Sequence, residues 1–296
     1  MLSGSLLLQS SKADEPIKVF LKKRFARIGI AFVFWSAIYF VWSYYVDGVT
    51  LTARSITRSL LQGGPYYHFW YIYLIMGLYL ITPILRAVVN YPDRKLTRYL
   101  IILWFVGASV PPLLQLITGL AVDNTLLLLG GYIGYFVLGT YLIGVEVKTK
   151  TLRVLFVTCV ILTFVGLFMM NFPFHSSGNY YFFDGYMSMT VILGSVAAFL
   201  LLSKVRSDWP GNSKPWFNRL VHAISENTLP IFFLHPIVLD LINRAAIGFQ
   251  ISFFNAPPPI YIPLAAVPIA AVSTLFICLG LIVALKKVPV LKKLIG

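Results

Sequence analysis

Apolar stretches of about 17 to 25 residues recur along the chain, each bounded by a polar or charged cluster. At 1.5 Å of rise per helical residue, one such stretch crosses roughly 30 Å of hydrocarbon. The pattern predicts eight spans, near residues 28–46, 69–89, 99–120, 125–145, 152–172, 187–203, 225–245 and 262–285. The expected fold is all-α, a polytopic transmembrane helix bundle forming a single membrane domain over residues 1–296. Met1–Leu8 is apolar but too short to cross, and it lacks the basic region that precedes a signal peptide's apolar core. It reads as the tail of a helix that begins upstream. Within several spans, Pro83, Pro111, Pro112, Pro230, Pro236 and Pro268 each remove a backbone donor and free a carbonyl one turn earlier. Gly130 and Gly134 lie four apart, a spacing that permits close helix packing.

Composition sharpens the picture. Of 296 residues, 58% are hydrophobic and only 11% charged, with a mean hydropathy of +0.82. A soluble chain carries roughly a quarter charged residues. The net charge of +14 follows the topology rather than pointing to nucleic acid. With the N-terminal side inside, only Arg54, Arg58 and Arg244 fall outside, which leaves 21 of the 24 Lys and Arg on the inner face. Eight spans then put both ends in the cytoplasm. Cys159 and Cys278 fall inside spans without metal-ligand or CxxC spacing, and read as small apolar core residues. No metal site is expected.

Three outer loops are long: 47–67, 173–186 and 248–260. Their aromatic residues suit an interfacial belt, and also suit stacking on sugar faces. Arg24 and Arg27 sit three apart at the inner end of the first span, on one side of a helix. Guanidinium forks match phosphate oxygens, yet charge at this point also sets topology and snorkels to lipid phosphates. His68 opens the second span with Trp70 just after it, as an interfacial pair or as part of a site. His235 lies about 15 Å into the seventh span, flanked by Pro230 and Pro236. It is either a functional imidazole or a partner for a carbonyl freed by proline. His175 and His222 fall in loops and read as structural. There is no GxSxG elbow, Walker loop, HExxH or dinucleotide fingerprint. Asp240 and Glu226 are the only carboxylates placed to serve proton-coupled transport.

Four segments, in order, carry a family resemblance. They are Ser3–Leu8, Phe20–Arg27 with its RxxR spacing, His68–Leu85 with its HFWY opening, and Ser225–Pro236 with its late histidine. Together the chain resembles the acyltransferase 3 family of integral membrane O-acyltransferases over essentially its whole length. That resemblance implies ten helices in the full fold and transfer of an acyl group, usually acetyl, from cytoplasmic acetyl-CoA. The acceptor would be a hydroxyl of a cell-surface polysaccharide or lipid-linked glycan at the cell membrane. Acetyl-CoA would be a substrate, with no tightly bound cofactor. By the same resemblance Arg24 and Arg27 contact the donor phosphates, His68 and Trp70 line the acceptor side, and His235 lines the interior. The family's first helix, with its Arg and catalytic His, has no counterpart in the sequence, so the principal base is expected outside it. A glycan exporter or flippase, and a non-catalytic fragment, are the alternatives the sequence leaves open.

Overall fold

The computed structural model describes residues 1–9, 15–118, 131–171, 185–205, 215–244 and 263–296, and every regular element among them is helical. They are α1 (Leu2–Leu7), α2 (Ile17–Tyr45), α3 (Ala53–Leu61), α4 (Trp70–Val89), α5 (Arg94–Thr118) and α6 (Ile133–Tyr141). Then come α7 (Thr149–Asn171), α8 (Met189–Ser203), α9 (Pro215–Glu226), α10 (Thr228–Asn243), α11 (Pro263–Leu285) and α12 (Pro289–Leu294). Among the described residues, five stretches are long and apolar enough to cross a membrane: Ile17–Tyr45, Trp70–Val89, Arg94–Gln115, Thr149–Gly166 and Pro268–Leu285. Met189–Ser203 and Thr228–Asn243 are shorter apolar helices. An all-α polytopic bundle is what the apolar pattern calls for. Of the span expected at 125–145, only α6 and its flanks are described. Most of the outer loops at 173–186 and 248–260, with His175, lie outside the described residues, as does Gly130.

Two boundaries move for physical reasons. The helix of the first expected span, α2, begins at Ile17 rather than near 28, because Lys18–Arg27 is itself helical. Lys and Arg are good helix formers and carry their charge outward on long stems, so charge marks the membrane edge but not the helix end. The seventh span, expected from 225, starts at Thr228 instead. Ser225 and Glu226 close the amphipathic α9, and the chain breaks at Asn227. Pro230 then falls in the first turn of α10, where its missing N–H would have had no helical partner anyway.

The chain divides into two compact units. Met1–Ile17 with Leu78–Trp209 forms one, and Lys18–Gly77 with Pro210–Gly296 the other. In the first, α1 and α6 touch backbone to backbone: a Cβ on Gly4 would collide with the Phe136 carbonyl, and one on Gly139 with the Met1 carbonyl. The Thr140 hydroxyl donates to the Gly4 carbonyl at 2.8 Å across the same contact. Buried Arg86 closes the end of α1, its Nε donating to the Leu7 carbonyl at 2.8 Å while its guanidinium pairs with Glu15 at 3.2 Å. A cation there satisfies a terminal carbonyl and opposes the helix dipole. Gly134 admits the Trp104 indole, whose Nε1 donates to the Gly131 carbonyl at 2.6 Å. Trp104, Leu138, Leu142, Leu152, Ile192 and Leu200 make the core.

In the second unit, α2 is the central strut. Trp35 stacks on Phe233 of α10 at 5.9 Å and 9°, and its Nε1 donates to the Ile295 carbonyl at 3.4 Å. One turn further out, the buried Tyr39 hydroxyl donates to the Phe233 carbonyl at 2.7 Å. α10 packs along α11, which buries Cys278 as a free thiol. α3 opens with a capping box in which Ser55 N donates to the Thr52 hydroxyl at 3.1 Å and Thr52 N to the Ser55 hydroxyl at 2.9 Å.

Candidate functional site

Two of the histidines singled out by sequence come together in the second unit. The rings of His68 and His235 stand 5.5 Å apart at 72°. Around His68 lie Tyr39 at 5.1 Å, Phe69 at 4.7 Å, Phe232 at 5.2 Å, and Tyr67 and Tyr66 at 5.7 and 6.0 Å. α2 supplies Tyr39, the turn before α4 supplies Tyr66 to Phe69, and α10 supplies Phe232, Phe233 and His235. Tyr39, Tyr66, Tyr67 and Phe232 were not among the residues singled out by sequence. The adjacency of Phe232 and Phe233 to His235, and of Tyr66 and Tyr67 to His68, was the signal available for three of them.

The two imidazoles differ. His68 is 5% exposed, and both ring nitrogens are buried with no hydrogen-bond partner among the described residues. Buried polar groups are normally satisfied, and an unsatisfied one calls for an explanation. Burial first, and the neighbouring His235 second, hold the His68 imidazole down at about 3, so it is neutral at pH 7. His235 Nδ1 lies 2.6 Å from the Phe232 carbonyl three residues earlier. A carbonyl only accepts, so Nδ1 carries the proton and Nε2 keeps a lone pair.

Toward the C-terminal ends of α2 and α10, one guanidinium joins two carboxylates. Arg244 Nε donates to Asp240 at 2.9 Å and a terminal nitrogen to Asp47 at 2.9 Å. Burial first, then Asp240, raises the Tyr66 and Tyr67 phenols, which stay protonated. Asp240 is therefore committed to an ion pair rather than free as a buried proton carrier. His222 pairs with Glu226 at 3.3 Å on the exposed face of α9. Trp70 is 38% exposed and edge-on to Tyr71 at 6.0 Å.

Arg24 and Arg27 lie in the N-terminal part of α2. Arg24 sets its guanidinium 5.7 Å over the Phe20 ring, and its Nε is buried without a partner among the described residues. Arg27 is exposed. Lys286 joins this region: its amine is pushed down by burial first and by Lys292 and Arg27, against the pull of Glu226. From Arg24 to Tyr39 is 15 residues of one helix (24 to 39), about 22 Å of rise.

These features define a multi-pass helical membrane protein with one buried and one half-buried imidazole paired on one unit and a cationic N-terminal end to α2 of the same unit. A family model described as an acyltransferase domain matches residues 1–283, and the chain belongs to that family, acyltransferase 3. No curated protein and no solved structure matches the chain. It is a membrane acyltransferase.

Proposed function

We propose that this protein moves an acyl group, acetyl in the first instance, from cytoplasmic acyl-CoA to a hydroxyl of a cell-surface polysaccharide or lipid-linked glycan at the cell membrane. The observation that carries the reading is His68: a buried imidazole with two unanswered nitrogens, 5.5 Å from a second imidazole whose Nδ1 is already committed. Among the described residues, no protein group answers either His68 nitrogen. Neutral imidazole suits proton transfer at neutral pH.

In this reading the phosphates of the donor rest on Arg24 and Arg27, whose forks suit them. The pantetheine arm extends inward beside α2, over a distance of the same order as the roughly 22 Å that separates Arg24 from Tyr39. At the aromatic cage, His235 Nε2 takes the proton of the acceptor hydroxyl as its oxygen attacks the thioester carbon, the base role that the family resemblance gives to a histidine outside this sequence. A protonated His68 nitrogen donates to the carbonyl oxygen as negative charge develops there. The tetrahedral intermediate collapses, the carbon–sulfur bond breaks, and the thiolate of coenzyme A recovers the proton from the His235 imidazolium. Trp70, exposed at the outer start of α4, stands on the acceptor side.

Labelled acetyl-CoA supplied to membranes with and without the protein tests the reading. An acyltransferase leaves label on glycan hydroxyls. An exporter changes only the side of the membrane on which glycan appears, and that result would overturn the proposal.

A further inference from the structure

Within an α-helix the N–H of each residue answers the carbonyl four places earlier. Pro236 has no N–H, so the carbonyl it leaves unanswered is that of Phe232. That is the carbonyl on which His235 Nδ1 rests, at 2.6 Å. An open carbonyl at membrane depth must find a donor, and the imidazole next to the proline is the group that supplies it. Pro230, in the first turn of the same helix, does nothing comparable, because the carbonyl four places before it belongs to Glu226, beyond the break at Asn227.

We infer that Pro236 is a positioning residue that sets the tautomer of His235: it withholds the backbone N–H that would otherwise occupy the Phe232 carbonyl, and so fixes the ring proton on Nδ1. Neutral imidazole in water favours the proton on Nε2, the reverse arrangement. Nε2 is thereby left as an acceptor, in a cage whose other imidazole, His68, has both nitrogens free among the described residues. The tautomer is a property of the helix alone. Its consequence for catalysis rests on the acyl-transfer reading above.

The test uses the full chain labelled with ¹⁵N-histidine in lipid nanodiscs, His235 being assigned by the signal missing from His235→Gln. The wild-type spectrum should show His235 with Nδ1 protonated and Nε2 bare. Pro236→Ala returns an N–H to the Phe232 carbonyl and replaces proline with the best helix former, so the helix is kept. It should lose that signature, while Pro230→Ala keeps it. With labelled acetyl-CoA, Pro236→Ala should lower kcat about tenfold or more, with KM for the donor within about twofold. That split is expected when a general base is mis-set while donor binding is untouched. A wild-type His235 protonated on Nε2, or a Pro236→Ala spectrum unchanged at Nδ1, overturns the inference. A tautomer that moves as expected while transfer is unaffected upholds the inference and removes His235 from the acyl-transfer reading instead.

Discussion

A phenylalanine at position 68 keeps an aromatic ring in the cage and discards the two nitrogens. In the native protein those nitrogens are buried without partners among the described residues, in a side chain 5% exposed. A buried polar group left unsatisfied forfeits about 1–3 kcal/mol, so the pair here forfeits about 2–6 kcal/mol in the absence of ligand. The phenyl ring is one atom larger and must fit among Tyr39, Phe69 and Phe232, all within 5.2 Å of the native ring by centroid. Overpacking of that kind costs about 1–3 kcal/mol. The net expectation for His68→Phe is a gain of about 1–3 kcal/mol, read as a thermal midpoint a few degrees higher in lipid nanodiscs. Acetyl transfer should fall about a hundredfold or more, since the discarded nitrogens act on the reacting groups. Greater stability with lower activity is the signature of a group held for function against the preference of its surroundings. A variant destabilised by about 2 kcal/mol, as when a satisfied buried group is removed, and with transfer intact would refute the reasoning.

Other perturbations separate the remaining parts of the account. Arg24→Ala should raise the apparent KM for acetyl-CoA about tenfold or more with kcat little changed, because a charge-assisted phosphate contact is worth about 1.5–3 kcal/mol; steady-state kinetics with varied donor checks it. Gly4→Ala places a methyl group against the Phe136 carbonyl, backbone on backbone, so α1 and α6 must part. The destabilisation should be about 1–3 kcal/mol, visible as a lower thermal midpoint. The neutral His68 also makes stability depend on pH. Its imidazole stays uncharged in the fold down to about 3, while the unfolded chain takes up a proton near 6.5. That contribution is complete above pH 6.5 and falls away progressively as pH drops toward 3. Thermal midpoints from about pH 7.5 to about pH 5 should therefore decline in the wild type, and decline less in His68→Phe.

The helices were legible because lipid imposes one strong rule: a span must be apolar and about 20 residues long. Which helices touch was not legible. Spans such as α2 and α11 are apolar on nearly every face, so no stripe marks the buried side, and nothing in the sequence around Tyr39 announced its hydrogen bond to the Phe233 carbonyl. Arg86 illustrates the same limit. It read only as one inner-face cation among many, yet it is buried, holding the Leu7 carbonyl and Glu15. The two sides of His235 were both visible beforehand, as a functional imidazole or as a partner for a proline-freed carbonyl. In the fold these are not alternatives, because the second fixes the proton and leaves Nε2 for the first.

The central claim is that the histidine cage of this protein is where a cytoplasmic thioester meets an acceptor hydroxyl. The most direct measurement is transfer of radioactive acetyl from acetyl-CoA to envelope glycan in native membranes, comparing the wild type with His235→Gln and His68→Phe. Label on glycan hydroxyls in the wild type, and its absence in both variants at equal protein levels, is the predicted result. Glycan labelled equally by all three, or by none, would contradict the account.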